Sequence, residues 1–346
     1  MEKGKMLLVS LGQGAGNIVD GLLSRNSRYN GLFLNSSLFD VKPLKNADMS
    51  KNVYVYPGTD GSGRDRNKSK EMIKDNINPI GTLLSKYPLT EVVVVFTTMA
   101  GGTGSGAIKT FIQIVKKVLP NAKVNVVAIL PSLKEDELAF KNTLECWNDI
   151  NSIMDSINDV KFVDNNKRNT YKEINNEVIE SLDLAYNIIG IHADGSIDNK
   201  DSFRINTAEG SGLVLKLYDG LKDAKTAVDL AIQNSVFVQP DTYDCDYLGI
   251  NLKIDGYDPY EVSKLFEVYR STYITYNNKN NIVVLGGCET PTESIKLIKM
   301  ALEDKNKRKL SRNKKRSVII DLDTDGEESK EEIDGLKDLL EDNYGF

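Results

Sequence analysis

The stretch Glu91-Val-Val-Val-Val-Phe-Thr-Thr-Met-Ala-Gly-Gly-Thr-Gly-Ser-Gly106 decides the reading of this chain. Its unbroken apolar run marks a strand buried on both faces, as in a mostly parallel sheet covered by helices. Glycines follow at 101, 102, 104 and 106, and then a helical pattern begins. Glycines let a backbone come close to a polyphosphate, and the amides of a helix N-terminus point at the anion with the favourable end of the dipole. Thr103 and Ser105 add hydroxyl donors. Ala100, Gly101, Gly102, Thr103, Gly104, Ser105 and Gly106 thus form the first candidate anion cradle.

The same grammar recurs upstream. A strand over 6–11 runs into Gly12, Gln13, Gly14, Ala15, Gly16 and Asn17, which open another helical pattern. Further strands are predicted at 31–34, 53–56 and 124–130, and each ends in a polar or glycine-rich loop. The class is α/β, with ligands expected outside the carboxyl ends of the strands. GxGxxN superficially resembles a dinucleotide fingerprint, but the second strand ends in Asn35-Ser36-Ser37, without the acid that would hold an NAD ribose. No Walker A pattern occurs, so a P-loop enzyme is disfavoured.

AGGTGSG resembles the GGGTGSG signature of the tubulin and FtsZ superfamily, and GQGAGN resembles that family's first phosphate loop. The loop order can be followed through about the first 200 residues, and the size, acidic balance and charged tail look most like the TubZ branch found on plasmids and phages. The resemblance implies an N-terminal Rossmann-like GTPase domain (1–170), a long central helix (171–192), a smaller α+β C-terminal domain (193–303) and a charged tail (304–346). It implies GTP and GDP as ligands, with Mg2+. Asn35 and Ser36 fall on the second loop, where Ser37 replaces the usual aspartate. TDGSGR, with Thr59 and Arg64, falls on the third loop, which senses the γ-phosphate. Glu135, or alternatively Glu137, is expected to hold the ribose; an arginine expected at 139 is Ala139. Ser132 and Glu135 also have the spacing of a capping box. Asn165 and Asn176 sit where the family reads the base, and amide side chains can pair with a purine edge.

Asp198 and Asp201 resemble the catalytic DxxD loop that each family member presents to its neighbour's nucleotide. A carboxylate brought across an interface can orient water against a γ-phosphate while Mg2+ holds the charge. The resemblance therefore implies assembly-dependent GTP hydrolysis in a head-to-tail homopolymer. It also implies segregation of plasmid or phage DNA through a DNA-binding adaptor engaged by the tail. The same residues, read as turn formers, leave a nucleotide-binding filament without hydrolysis as the alternative.

The rest of the chain sets bounds. Its 346 residues carry 44 Lys and Arg against 50 Asp and Glu, a net charge of −6, so the molecule as a whole is no basic nucleic-acid binder. One histidine, His192, excludes histidine triads and multi-histidine metal sites. Cys146, Cys245 and Cys288 are far apart, and no apolar segment is long enough for a membrane span, so a cytoplasmic protein is expected. A buried helix is predicted over 171–191, a loop over 193–212, strands at 235–238, 247–254 and 281–286, and helices at 259–272 and 292–303. Eight basic residues and no acid occupy 305–316; eleven acids against Lys330 and Lys337 occupy 321–342, with a short apolar segment, 318–320, between the blocks.

Overall fold

The structure, a computed structural model, describes residues 1–277 and 279–316, with side-chain surroundings as far as 312. The first compact unit is Met1–Asp304, and a second begins at Lys305. The acidic run 321–342 and the segment 318–320 lie outside the described residues.

A ten-stranded sheet organises the first unit. β1 (Met6–Leu11), β2 (Asn30–Asn35), β3 (Val53–Val55), β4 (Val92–Thr98), β5 (Lys123–Leu130) and β6 (Asp159–Asp164) pair in the order β3-β2-β1-β4-β5-β6, all parallel. The register sets Val9 opposite Leu32 on one side and Val95 on the other. α1 (Gln13–Arg25) follows β1 and α2 (Leu38–Val41) follows β2; α3 (Arg66–Asp75) and α4 (Ile77–Leu84) lead into β4. α5 (Thr103–Val118) and α6 (Glu137–Asn151) follow β4 and β5. The valine run of β4 is divided between two cores. Val92, Val94 and Phe96 join the cluster that includes Ile18 and Leu22 of α1, while Val93 and Val95 join that of Phe111 and Val115 of α5. A strand that must be apolar on both faces loses the period-two pattern, which is why the sequence shows an unbroken run.

α7 (Tyr171–Tyr186) crosses the sheet, burying Ile174, Val178 and Leu182, and a capping box of Thr170 and Glu173 starts it. At its other end, Asp183 accepts hydrogen bonds from Lys3 (2.9 Å), Tyr29 (2.9 Å) and Arg25 (3.0 Å), so this end lies beside the start of β1. Then come β7 (Gly190–His192) and β8 (Gly195–Ile197), an antiparallel hairpin, and α8 (Asn199–Asn206). β9 (Gly210–Lys216), α9 (Ala224–Asn234), β10 (Cys245–Lys253), α10 (Pro259–Ser263), β11 (Val268–Asn277), β12 (Ile282–Cys288) and α11 (Thr292–Arg316) complete the described chain. The sheet continues as β6-β9-β12-β10-β11, with β12 antiparallel to both its neighbours.

Several local expectations are corrected. The helix predicted over 259–272 stops at Ser263, and from Val268 the chain is strand, as the β-branched and aromatic residues Val268, Thr272, Tyr273, Ile274 and Thr275 favour. The loop predicted over 193–212 contains β8, α8 and the start of β9. The strand predicted at 235–238 makes one isolated bridge, Phe237 with Val163, beside β6. The central helix ends at Tyr186, before 191.

Candidate nucleotide site

Two helices start side by side where β1 and β4 end. Gly12 takes a left-handed φ of 87°, and a Cβ there would lie 3.5 Å from the amide nitrogen of Gly104. At Gly104 a Cβ would strike the carbonyl oxygen of Leu11 and come within 2.6 Å of Thr97 Oγ1. The glycine at 104 is thus required by the close approach of the two strand ends, which brings the starts of α1 and α5 together. No side chain caps either helix, whereas Asp or Thr side chains cap α3, α6, α7, α8, α9 and α10. First-turn amides without side-chain acceptors, on two adjacent helices, suit an anion.

Hydroxyls tie the neighbouring loops to this cradle. Ser36 Oγ lies 2.7 Å from Thr103 Oγ1, and Thr103 donates to Ser62 Oγ at 3.2 Å. The Thr59 hydroxyl donates to the carbonyls of Ser36 and Tyr56, both at 2.8 Å. Asn35, only 3% exposed, accepts the amides of Ser36 (2.7 Å) and Ser37 (3.2 Å), so it shapes its own loop. Ser37 donates to Asp60 at 3.4 Å. A carboxylate from the third loop therefore stands beside the position where the second loop lacks one.

α6 clamps the same loops from behind. Asn142 donates to the carbonyls of Arg64 (3.0 Å), Ala100 (3.2 Å) and Gly101 (3.4 Å). The buried Arg66 guanidinium donates to Ser105 Oγ (3.2 Å), Ser105 O (3.0 Å), Glu145 (2.8 Å) and Asp149 (2.5 Å). Sequence reading missed both clamps, because neither Asn142 nor Arg66 belongs to a motif.

In front of the cradle opens a cleft of about 390 Å³. Gln13, Gly14, Asn17, Ala100 and Gly101 line its inner wall, and Glu135 and Asn165 its outer wall. Glu135 accepts the Ser132 amide at 3.0 Å and the Tyr171 hydroxyl at 3.4 Å. Burial, then the Glu135 charge, pushes the Tyr171 phenol up. The capping box read into Ser132 and Glu135 is a turn: α6 starts two residues later, capped by Asp136. From α7 it is Asn175 that lines the cleft; Asn176, one residue and about 100° further round the helix, lines a separate groove of about 720 Å³. The doublet Asn175-Asn176 offered two candidates, and only packing separates them.

Asp198 and Asp201 are far from this cleft. Asp198 caps α8 and its charge acts on the Met1 amine, while Asn206 at the end of α8 accepts through its carbonyl from Asn125, near the start of β5. They therefore lie at the opposite end of the parallel strands from the glycine-rich loops after β1 and β4. α7, whose start lines the cleft, spans this distance with 16 residues, about 24 Å at 1.5 Å per residue. The Asp201 amide, above all, holds the Asp198 carboxyl below its ordinary range.

Residues 5–171 match the Tubulin/FtsZ family, GTPase domain. The tubulin-like protein TubZ of Clostridium botulinum C phage is 31% identical over 336 residues, which is 96% of this chain and 92% of that protein. The chain belongs to the tubulin/FtsZ family, in its TubZ branch. Members of the family bind GTP and GDP and are GTPases. The crystal structure of Clostridium botulinum phage c-st TubZ superposes with a TM-score of 0.81 at 30% identity, covering 88% of this chain and 99% of that one. A GTPγS-form protofilament of Bacillus thuringiensis serovar israelensis TubZ shares the fold, with a TM-score of 0.76 at 14% identity over 90% of this chain and 94% of that one. Among the described residues no helix is long and apolar enough to cross a membrane.

Proposed function

We propose that this protein binds GTP in the 390 Å³ cleft and hydrolyses it only when subunits stack head to tail. One observation carries the reading: the two candidate catalytic acids lie at the end of the sheet opposite the phosphate loops. They cannot reach their own nucleotide, but stacking would present them to the next subunit's. Such an interface is heterologous, and unless it closes into a ring it propagates as a filament. Stacking is supported by a relative, since the Bacillus TubZ is found as protofilaments in both its GTPγS and its GDP form.

Within the cleft, the starts of α1 and α5 cradle the phosphates, Glu135 takes the ribose, and Asn165 and Asn175 face the base. The donor set fits a nucleotide: uncapped helix amides and hydroxyls for phosphate, amides for the base. Mg2+ would come with the phosphates and neutralise their developing charge. Ser36, Thr103 and the Asp60 carboxylate beside Ser37 are the groups this chain offers to it and its waters. Loss of the γ-phosphate would loosen the loops tied through Thr59 and Ser36, shifting the filament towards disassembly. By the same family reading, a DNA-binding adaptor on plasmid or phage DNA engages the tail, and the basic residues from Lys305 to Arg316 would supply charge for it.

GTP turnover per subunit against protein concentration tests the stacking requirement. It should rise steeply above a threshold; a turnover number independent of concentration would overturn it. A second reading, filaments without hydrolysis, is favoured by one feature. Asp198 and Asp201 already have a structural role, as the caps of α8.

A further inference from the structure

α11 changes character along its length. Its first half is anchored: Asp241 accepts from the Thr292 hydroxyl at 2.6 Å and from the Thr292 amide at 3.3 Å, and Ile298 is buried in the core. From Lys305 onward the sequence offers no apolar face. Leu310 is the only apolar residue from 305 to 316, and it is 64% exposed. Lys307, Arg308 and Arg312 are exposed as well.

Local charge does not favour this part either. Lys305, Lys309 and Arg312 follow at spacings of four and three on one helix face, where like charges repel. Glu303 and Asp304 have the spacing to face Lys307 and Arg308, but two acids are a minority against eight cations. The helix dipole favours cations only within the last turn. A helix that is polar on every side and lacks a set of opposite-charge pairs is not stable by itself. Yet α11 runs to Arg316. Its basic part therefore calls for an anion along its length.

The chain carries one. Four residues on, 321–342 holds eleven acids against Lys330 and Lys337, a balance of −9 beside the +8 of 305–316. The basic stretch makes about 18 Å of helix, and the acidic one is long enough to run its full length, about 33 Å even at the helical rise. A connection of four residues, 317–320, is within the usual range for elements that lie side by side. Joined so closely, the two stretches meet at an effective concentration on the order of millimolar, far above that of an external macromolecule.

We propose that the acidic segment 321–342 docks on the basic part of α11 within the same chain and guards it. An outside polyanion reaches these cations only by displacing that segment.

Two measurements on the full-length protein at low salt test this, each against a full-length variant whose eleven acids in 321–342 are replaced by Asn or Gln. Amide hydrogen exchange reads the helix: neutralisation should speed exchange in 305–316 about ten-fold or more and leave β4 unchanged. A fluorescent peptide with the sequence 321–342 reads the face it covers. It should bind the neutralised variant about ten-fold or more tightly than the wild type, whose own segment competes. That binding should be lost in about 1 M salt, and lost when Lys307→Gln, Arg308→Gln and Arg312→Gln are added. Unchanged exchange in 305–316, or a peptide that binds both proteins alike or neither, would overturn the docking. Peptide binding that survives the three added substitutions would overturn its assignment to α11.

Discussion

Asp198 accepts the backbone amide of Asp201 at 2.9 Å, and Asp201 returns to the amide of Asp198 at 3.3 Å. The two residues proposed for hydrolysis thus cap the helix that presents them, α8. A capping box orients its carboxylates through backbone geometry, so the same contacts can keep an acidic pair preset at an exposed edge. Structural and catalytic roles need not compete, but they must be separated by experiment.

Asp198→Asn separates them. Asparagine is an equally good cap, so the melting temperature should stay at the wild-type value. The charge that would orient water is gone, and GTP turnover should fall about 100-fold or more, with filaments still forming and persisting longer. Unchanged turnover at unchanged stability would remove Asp198 from the catalytic assignment, whereas a wild type without turnover would favour the filament that does not hydrolyse.

Recognition of the base divides the neighbours Asn175 and Asn176. Asn175→Ala should weaken GTP about ten-fold and narrow the preference for GTP over ATP, because a purine edge loses a hydrogen-bonding partner in a partly buried cleft. Asn176→Ala, in the other groove, should leave both unchanged. Competition binding with GTP and ATP decides between them.

Acid should weaken the junction of α7 with the start of β1. Burial pushes the Asp183 carboxyl up, but hydrogen bonds from Lys3, Tyr29 and Arg25 outweigh it and hold the group below its ordinary 3.8. A carboxylate with a lowered folded-state pKa contributes stability above pH 3.8, and that contribution is lost as the pH falls through the lower folded value. Asp183→Asn should therefore cost about 2 kcal/mol at pH 6, by stranding the largely buried Lys3, and much less once the pH has fallen through the lowered folded-state pKa. Urea midpoints of both proteins across that range check it; a constant difference would contradict the assignment.

The strands that carry the phosphate loops are legible in the sequence because their chemistry is local. A valine run, a glycine cluster and a helical pattern follow one another in β4 and α5, and again in shorter form at β1 and α1. β6 was hidden because its alternation contains a buried ion pair, Lys161 with Asp159 at 2.6 Å, where the sequence shows only charge. α8 was hidden because Asp198 and Asp201 look like turn residues until their amides are paired. Of the residues that line the cleft, Gln13, Glu135 and Asn165 were readable as candidates from motifs. Arg64 as a cation facing Asp136, Asp60 beside Ser37 and Asn142 behind Gly101 depend on loops distant in sequence meeting in space, which no spacing encodes.

Sedimentation of the purified protein across concentrations, with GTP, GTPγS, GDP or no nucleotide, tests the GTP-gated head-to-tail filament most directly. Pelleting should begin above a threshold concentration with GTP, persist longer with the slowly hydrolysed GTPγS, and be lost with GDP or no nucleotide. Pelleting independent of nucleotide, or none under any condition, would contradict it.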